Sequence, residues 1–387
     1  MPSDQSYLRA LLRNIEILRK KAGLSEAQLE QRLILGPGWI NRFEHGETIP
    51  SIDMVLAILH VTNATLPDLL NGLPEPEVSA IERSLFAEQA GNNIAVHFRY
   101  TDFDARYMLP NATLEEFESV LKELRDGLAR LVFVSDNEEG AEEVKAIKTD
   151  SVARAFLRAV RLWPHANPSD LWWFIVYRAY CDPYNHPAKF ARLDFTQSWK
   201  RTGGWALEEI LVRHYGAFLK QHGISLFIAD SVTKRQLVQT LKLRNRVEAD
   251  KVDVILCGET NSGQKMFGVV RVKASFAERR TDDVPLSEAL TRAGYTSPLW
   301  TMDCKSTPGA NPVNRGELGA IEGRISAKRK DIEQEGYFTG CFSYNKNTIQ
   351  SSTRLPLEKR VMVCNFGNPD DEFSRFIIAR WQKFPKS

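Results

Sequence analysis

The chain has 387 residues, 43% of them hydrophobic and 26% charged, with a net charge of only +2. That length holds two or three domains with proper cores, and the near-neutral charge excludes a polycationic nucleic-acid coat, so a DNA partner would have to meet local basic patches. No apolar run approaches the ~20 residues of a membrane-spanning helix, and five scattered cysteines without a CxxC pair argue against a zinc site or a disulfide framework and for a reducing, cytoplasmic setting.

Asn14 to Gly72 reads as a compact helical module. Ser25 with Gln28 three residues later forms a capping-box pattern. Ala27, Leu29 and Leu33 follow at helical spacing. Then come Gly36-Pro37-Gly38, a short helix Trp39–Glu44, the turn His45-Gly46-Glu47, and an amphipathic helix around Met54–Leu59. The pattern LSEAQLEQRL…INRFEHGETIPSIDMVLAIL resembles the helix-turn-helix of the Cro and phage-repressor group. In that motif the second helix lies in the major groove. Pro37 and Gly38 fall at its base-reading positions and carry no side-chain donor. Asn41 and Arg42 remain as candidates for phosphate or purine contact.

Pro74-Glu75-Pro76-Glu77 reads as a linker, which sets a first domain at 1–73. Residues 78–150 read as a mainly helical accessory region; Leu114–Leu131 has the clearest helical period. The third domain spans 151–387. It opens on the helix Ser151–Trp163 and a run dense in aromatics from Trp163 to Trp205, composition that suits core more than base stacking. Gly203 to Gln221 predicts a helix with Leu207, Ile210, Leu211 and Phe218 on its buried side, carrying Glu208 and Glu209. After it come a strand at Ile224–Ala229 and a Lys- and Arg-bearing helix at Thr233–Leu243.

Val252–Leu256 and Phe267–Ala274 are rich in β-branched and apolar residues. The polar stretch Gly258–Lys265 between them has turn composition. The unit predicts a β-hairpin, and folding it brings Asp253 roughly opposite Lys273. A carboxylate and an ammonium so placed can grip a divalent ion and a phosphate, or simply pair with each other. Many nuclease sites carry an acid two residues before the lysine; here that position is Arg271. Downstream, Ser287–Arg292 predicts a short helix with Ser287 as N-cap. Ser297–Cys304 predicts a buried strand, and Asp303, Lys305 and Arg315 are surface candidates for DNA contact. Ala320–Glu335, Tyr337–Tyr344, Arg360–Phe366 and Phe373–Phe384 continue as helix, strand, strand and helix. The alternation argues for an α/β fold with a mixed sheet flanked by helices.

The block Lys273-Ala274-Ser275-Phe276-Ala277-Glu278-Arg279 resembles the segment after the catalytic lysine in the CCGG family of type II restriction endonucleases. The resemblance covers roughly the C-terminal half of the chain. It implies a PD-(D/E)xK core and Mg²⁺-dependent hydrolysis of both strands of double-stranded DNA, leaving 5′-phosphates. It implies Asp253 and Glu288 as metal ligands, Glu288 being the acid moved onto the downstream helix. Lys273 is then the water-positioning lysine, and Glu208, with Glu209 second, is an additional helix-borne acid. Glu278 and Arg279 are the expected readers of C·G pairs, by accepting from cytosine N4 and donating to guanine O6 and N7. A palindrome containing CCGG, or CC and GG with a short spacer, implies a homodimer, possibly a tetramer. A companion DNA methyltransferase is expected in the same system. The alternative reading is a helix-turn-helix transcription regulator with a C-terminal sensing or dimerisation domain.

Overall fold

In the computed structural model the chain forms two units, Met1–Arg83 and Ser84–Ser387. The residues described are 3–45, 47–48, 50–73, 85–100, 103–135, 137–182, 185–187, 195–240, 252–275, 280–305, 312, 314–319 and 325–385.

Among the described residues the first unit has five helices: α1 (Ser3–Lys21), α2 (Glu26–Arg32), α3 (Trp39–Glu44), α4 (Ile52–Thr62) and α5 (Leu66–Leu70). The capping box at Ser25 forms as the sequence predicts, with Gln28 reaching back to the Ser25 N–H at 2.8 Å. Thr65 and Asp68 form a second capping box at α5, and Ser51 caps α4 by accepting the Met54 N–H at 3.2 Å. Helix α3 has no side-chain cap of its own and enters from Gly38 at φ 82°, a left-handed conformation that glycine adopts without strain. Glu30 of α2 supplies what the cap lacks, accepting the Ile40 N–H at 3.0 Å. Leu12, Ile15, Leu29, Ile40, Phe43 and Ile58 close the core.

The second unit begins with an antiparallel sheet of β1 (Leu85–Ala90), β2 (Asn93–Tyr100) and β3 (Phe103–Leu109). This corrects the helical reading of 78–150. Ile94, Ala95 and Val96 are buried, Tyr107 and Leu109 are buried on either side of the exposed Met108, and the hairpin turns on Gly91 at φ 63°. Helix dominates only from α6 (Leu114–Ala129) and α7 (Glu138–Leu162) onward. A short α8 (Pro168–Trp172) and a π-helical turn at Trp173–Ala179 lead to the long α9 (Phe195–Lys220). Trp163, Trp172, Trp173, Phe174 and Tyr180 are buried in one continuous core, as expected of aromatics with this spacing.

The main sheet has six strands in sequence order: β4 (Ile224–Ile228), β5 (Val254–Thr260), β6 (Gly263–Lys273), β7 (Leu299–Thr301), β8 (Cys341–Ser343) and β9 (Val361–Val363). β4, β5 and β6 are antiparallel, whereas β6 through β9 are parallel. The mixed sheet is therefore as expected. Helix α10 (Ser231–Thr240) follows β4, α11 (Arg280–Arg292) joins β6 to β7, α12 (Ala327–Glu333) precedes β8, and α13 (Glu372–Lys383) ends the unit. The β5–β6 hairpin is longer than its composition suggests. Strand pairing runs through Gly258↔Lys265 to Thr260↔Gly263, so the turn shrinks to Asn261 and Ser262. Gly258 has to be glycine, because a Cβ there would enter the Trp381 ring of α13.

Two further expectations change. Ser287 is not an N-cap: α11 starts at Arg280, and the fully buried Ser287 hydroxyl bonds Ser297 Oγ at 2.8 Å. Asp303 is not a surface group. It is fully buried at φ 44°, accepting the Glu317 N–H at 2.6 Å and the Thr348 hydroxyl at 2.7 Å.

Candidate active site

The hairpin register sets the centre. Val254 pairs with Val270, so Asp253, one residue before β5, comes level with the end of β6. Alternation along β6 turns Arg271 and Lys273 to one face. Lys273 Nζ donates to Asp253 Oδ2 at 3.0 Å, and the Val272 N–H donates to the same oxygen at 2.9 Å. The Arg271 guanidinium lies 3.6 Å from Asp253. Burial pushes the Asp253 carboxyl up, but Arg271 and Lys273 outweigh it and hold the group below the usual carboxylate range.

Glu208 enters from α9. Burial raises its carboxyl to about 7, the Asp253 carboxylate adds to the rise, and Lys234, Lys273 and Arg271 oppose it. Glu209, one residue on, turns elsewhere. It accepts from Arg213 Nε at 2.7 Å, and Arg213 also reaches Asp150 at 3.0 Å. Of the two neighbouring acids, the structure therefore brings Glu208 to Asp253.

The acid from α11 is a residue that sequence reasoning missed. Asp283 is almost fully buried, ion-paired with Arg271, and 3.4 Å from Lys273 Nζ. Glu288, one and a half turns further along, is half-buried and faces Arg292 at 2.5 Å. It makes no ion pair with Lys273 or Arg271 among the described residues. The helix does deliver a carboxylate to the cluster, as expected, but from Asp283. A signal was present: two acids, Asp282 and Asp283, at the start of a segment whose Pro285 reads as a helix break. The helix runs through that proline.

The remaining site residues divide as follows. Glu278 and Arg279 lie outside the described residues. Asn41 and Arg42 are exposed on α3, with the Arg42 guanidinium stacked 4.5 Å from the Trp39 ring. That stacking fixes the Arg42 side chain. Lys305 is tied by Glu317, at 2.8 Å, to a carboxylate that also accepts from Ser275 at 3.0 Å. Arg315 is exposed.

Two features suit a divalent cation. The Asp253 carboxylate is close enough to Glu208 to raise its proton affinity, which a cation between them would relieve. Asp283 Oδ2 is buried with no hydrogen-bond partner. Among the described residues no group of three His, Cys, Asp or Glu is arranged as a complete ligand set. A pair of carboxylates is enough for an ion that keeps several waters, as Mg²⁺ does.

Comparison with known proteins bears on both units. The family model "Helix-turn-helix domain" matches residues 10–82. The type II restriction enzyme AgeI of Thalassovita gelatinovora is 35% identical over 284 residues, which is 71% of this chain and 95% of that protein. The crystal structure of specific restriction endonuclease AgeI in complex with DNA matches with a TM-score of 0.60 at 32% identity, covering 76% of this chain and 99% of that one. The BsaWI–DNA complex in its pre-specific form matches with a TM-score of 0.32 at 14% identity, over 69% of this chain and 93% of that one.

Proposed function

The chain belongs to the type II restriction endonucleases, and from that membership we propose that it cuts both strands of duplex DNA in a Mg²⁺-dependent reaction at a palindrome containing CCGG, or CC and GG with a short spacer. The observation that carries the proposal is the single cluster of Asp253, Glu208, Asp283 and Lys273, with Lys273 Nζ 3.0 Å from Asp253 and 3.4 Å from Asp283.

Glu208 and Asp253 are the residues that would hold the ion. When bound, it supplies charge neutralisation at the phosphate and a lowered pKa for water. Lys273 is held between Asp253 and Asp283, so its ammonium is fixed in direction. From there it can orient the attacking water and offset negative charge that grows on the phosphate oxygens. Arg271 pins Asp283 and screens it from Asp253. In-line attack would leave the phosphate on the 5′ end. Glu278 and Arg279 are the proposed readers of the C·G pairs, and a two-fold dimer would give one cut per strand. DNA as partner is supported by the solved AgeI complex with DNA.

Purified protein incubated with mixed-sequence plasmid should yield discrete fragments with Mg²⁺ and none without it. Sequenced ends should share a CCGG-containing palindrome. A random smear, or no cutting with Mg²⁺ present, would overturn the assignment.

Two smaller predictions follow from the geometry. Glu208 holds its proton to about pH 7, so at limiting Mg²⁺ the rate should rise roughly tenfold per pH unit below 7 and level off above it. The same raised pKa costs the metal-free fold stability as pH climbs from 4.5 through 7, because the carboxyl must ionise while buried. A rate profile with no break near pH 7 would rule Glu208 out as the limiting titration. Glu288→Ala removes only a half-exposed ion pair on one helix, so its cleavage rate should stay within about threefold of the parent. A collapse of activity in that variant would return the metal role to Glu288.

A further inference from the structure

An open cleft of about 1310 Å³ runs from Glu208 between α7, α9 and the start of α10. Its acids other than Glu208 are already engaged. Glu142 meets Lys145 at 3.4 Å, and Asp150 and Glu209 share Arg213 at 3.0 and 2.7 Å. Asp230 accepts the Thr233 N–H at 2.7 Å, fixing the first turn of α10. Lys145 also lies 5.0 Å from the Trp205 ring.

Two cations on that first turn have no such partner. Lys234 and Arg235 line the cleft, and neither forms an ion pair among the described residues. Arg235 Nε only touches its own helix, at Ser231 O, 3.1 Å away. Lys234 is half-buried, and its charge reaches Glu208. A half-buried ammonium that forms no ion pair and shares its cleft with Glu208 is suited to take an anion. The cleft opens from the catalytic acid itself, so the anion expected there belongs to the substrate backbone.

We propose that Lys234 and Arg235 grip the DNA phosphates flanking the scissile bond, with Lys234 on the phosphate nearest Glu208. This rests on the nuclease reading above. Their role is placement of the strand: phosphate contacts set register and carry no base information.

The test has two arms. Metal-free wild type, Lys234→Ala, Arg235→Ala and Lys234→Arg are titrated with a short mixed-sequence duplex at several salt concentrations. Each alanine variant should lower the slope of log K against log salt by about 0.9, and Lys234→Arg should restore it. Cleavage with Mg²⁺ is then followed at saturating DNA. Lys234→Ala should lose roughly tenfold or more in kcat through misplacement of the strand, while Arg235→Ala should act mainly on KM. Melting temperatures should be unchanged, which separates contact from folding. An unchanged salt slope in both alanine variants overturns the proposal, whatever happens to kcat. A loss of kcat without a slope change would make Lys234 a tuner of Glu208 alone. If wild type itself cuts nothing, the nuclease reading fails, and the salt slopes still decide whether these two residues hold DNA.

Discussion

Lys273→Ala should give a folded protein whose cleavage rate is lower by roughly a thousandfold or more. The side chain is only 12% exposed and touches Asp253 and Asp283, so the ammonium has no substitute in the cluster. Arg271 cannot replace it, being held at 0% exposure by Asp283. Asp253→Ala should fall as far, because it removes one of the two carboxylates that would hold the ion and leaves Glu208 alone. Single-turnover cleavage of supercoiled plasmid, with melting temperatures alongside, is the measurement. Cutting at the parental rate by either variant would dissolve the site assignment. Metal-free DNA binding should survive in Lys273→Ala, since phosphate contacts elsewhere dominate affinity.

Asp283→Ala should have the largest effect on stability. It takes from the fully buried Arg271 its nearest carboxylate and leaves Asp253 at 3.6 Å. Removing one partner of a buried ion pair costs about 3–5 kcal/mol, and the Asp253 contact that Arg271 keeps puts the expected loss at the lower end of that range. Thermal and urea melts of the metal-free protein would read this directly. The double variant Arg271→Met with Asp283→Leu separates folding from chemistry. It should recover most of the lost stability and none of the lost cleavage. If the single variant melts with the parent, Asp283 is not the counter-charge of Arg271. If the double variant cuts DNA, Asp283 has no part in the centre.

Legibility in the sequence followed how local each signal is. The Asp253–Lys273 pair was readable because a hairpin converts sequence distance into register through one turn. Its longer strands and two-residue turn did not disturb that pairing. The α3 helix and the Ser25 cap were readable for the same reason, since caps act over three residues. The choice between Glu208 and Glu209 was not readable. Both border the stripe Leu207, Ile210 and Leu211, and only the docking of α9 on the sheet separates them. Asp283 was lost to Pro285: a proline normally marks a helix start or break, which moved the expected helix past the acid that matters. The β1–β3 sheet was lost because its two-residue period is carried by short strands whose outward positions hold Glu88, His97 and Arg106, residues that a helix presents as readily. Asp303 looked like a surface charge, and only the buried loop that donates to it shows otherwise.

Arg271, standing where many such sites carry an acid, changes the charge count of the centre. Three carboxylates, Asp253, Asp283 and fully ionised Glu208, face two cations, Arg271 and Lys273. An acid at 271 would make these five groups three units negative, whereas with arginine the centre is only one unit negative. One divalent ion inverts it to one unit positive, and a single phosphodiester brings the whole assembly to neutrality. The arginine thus lets one divalent ion balance the centre with the strand in place, where an acid at 271 would call for two, with no moving part required.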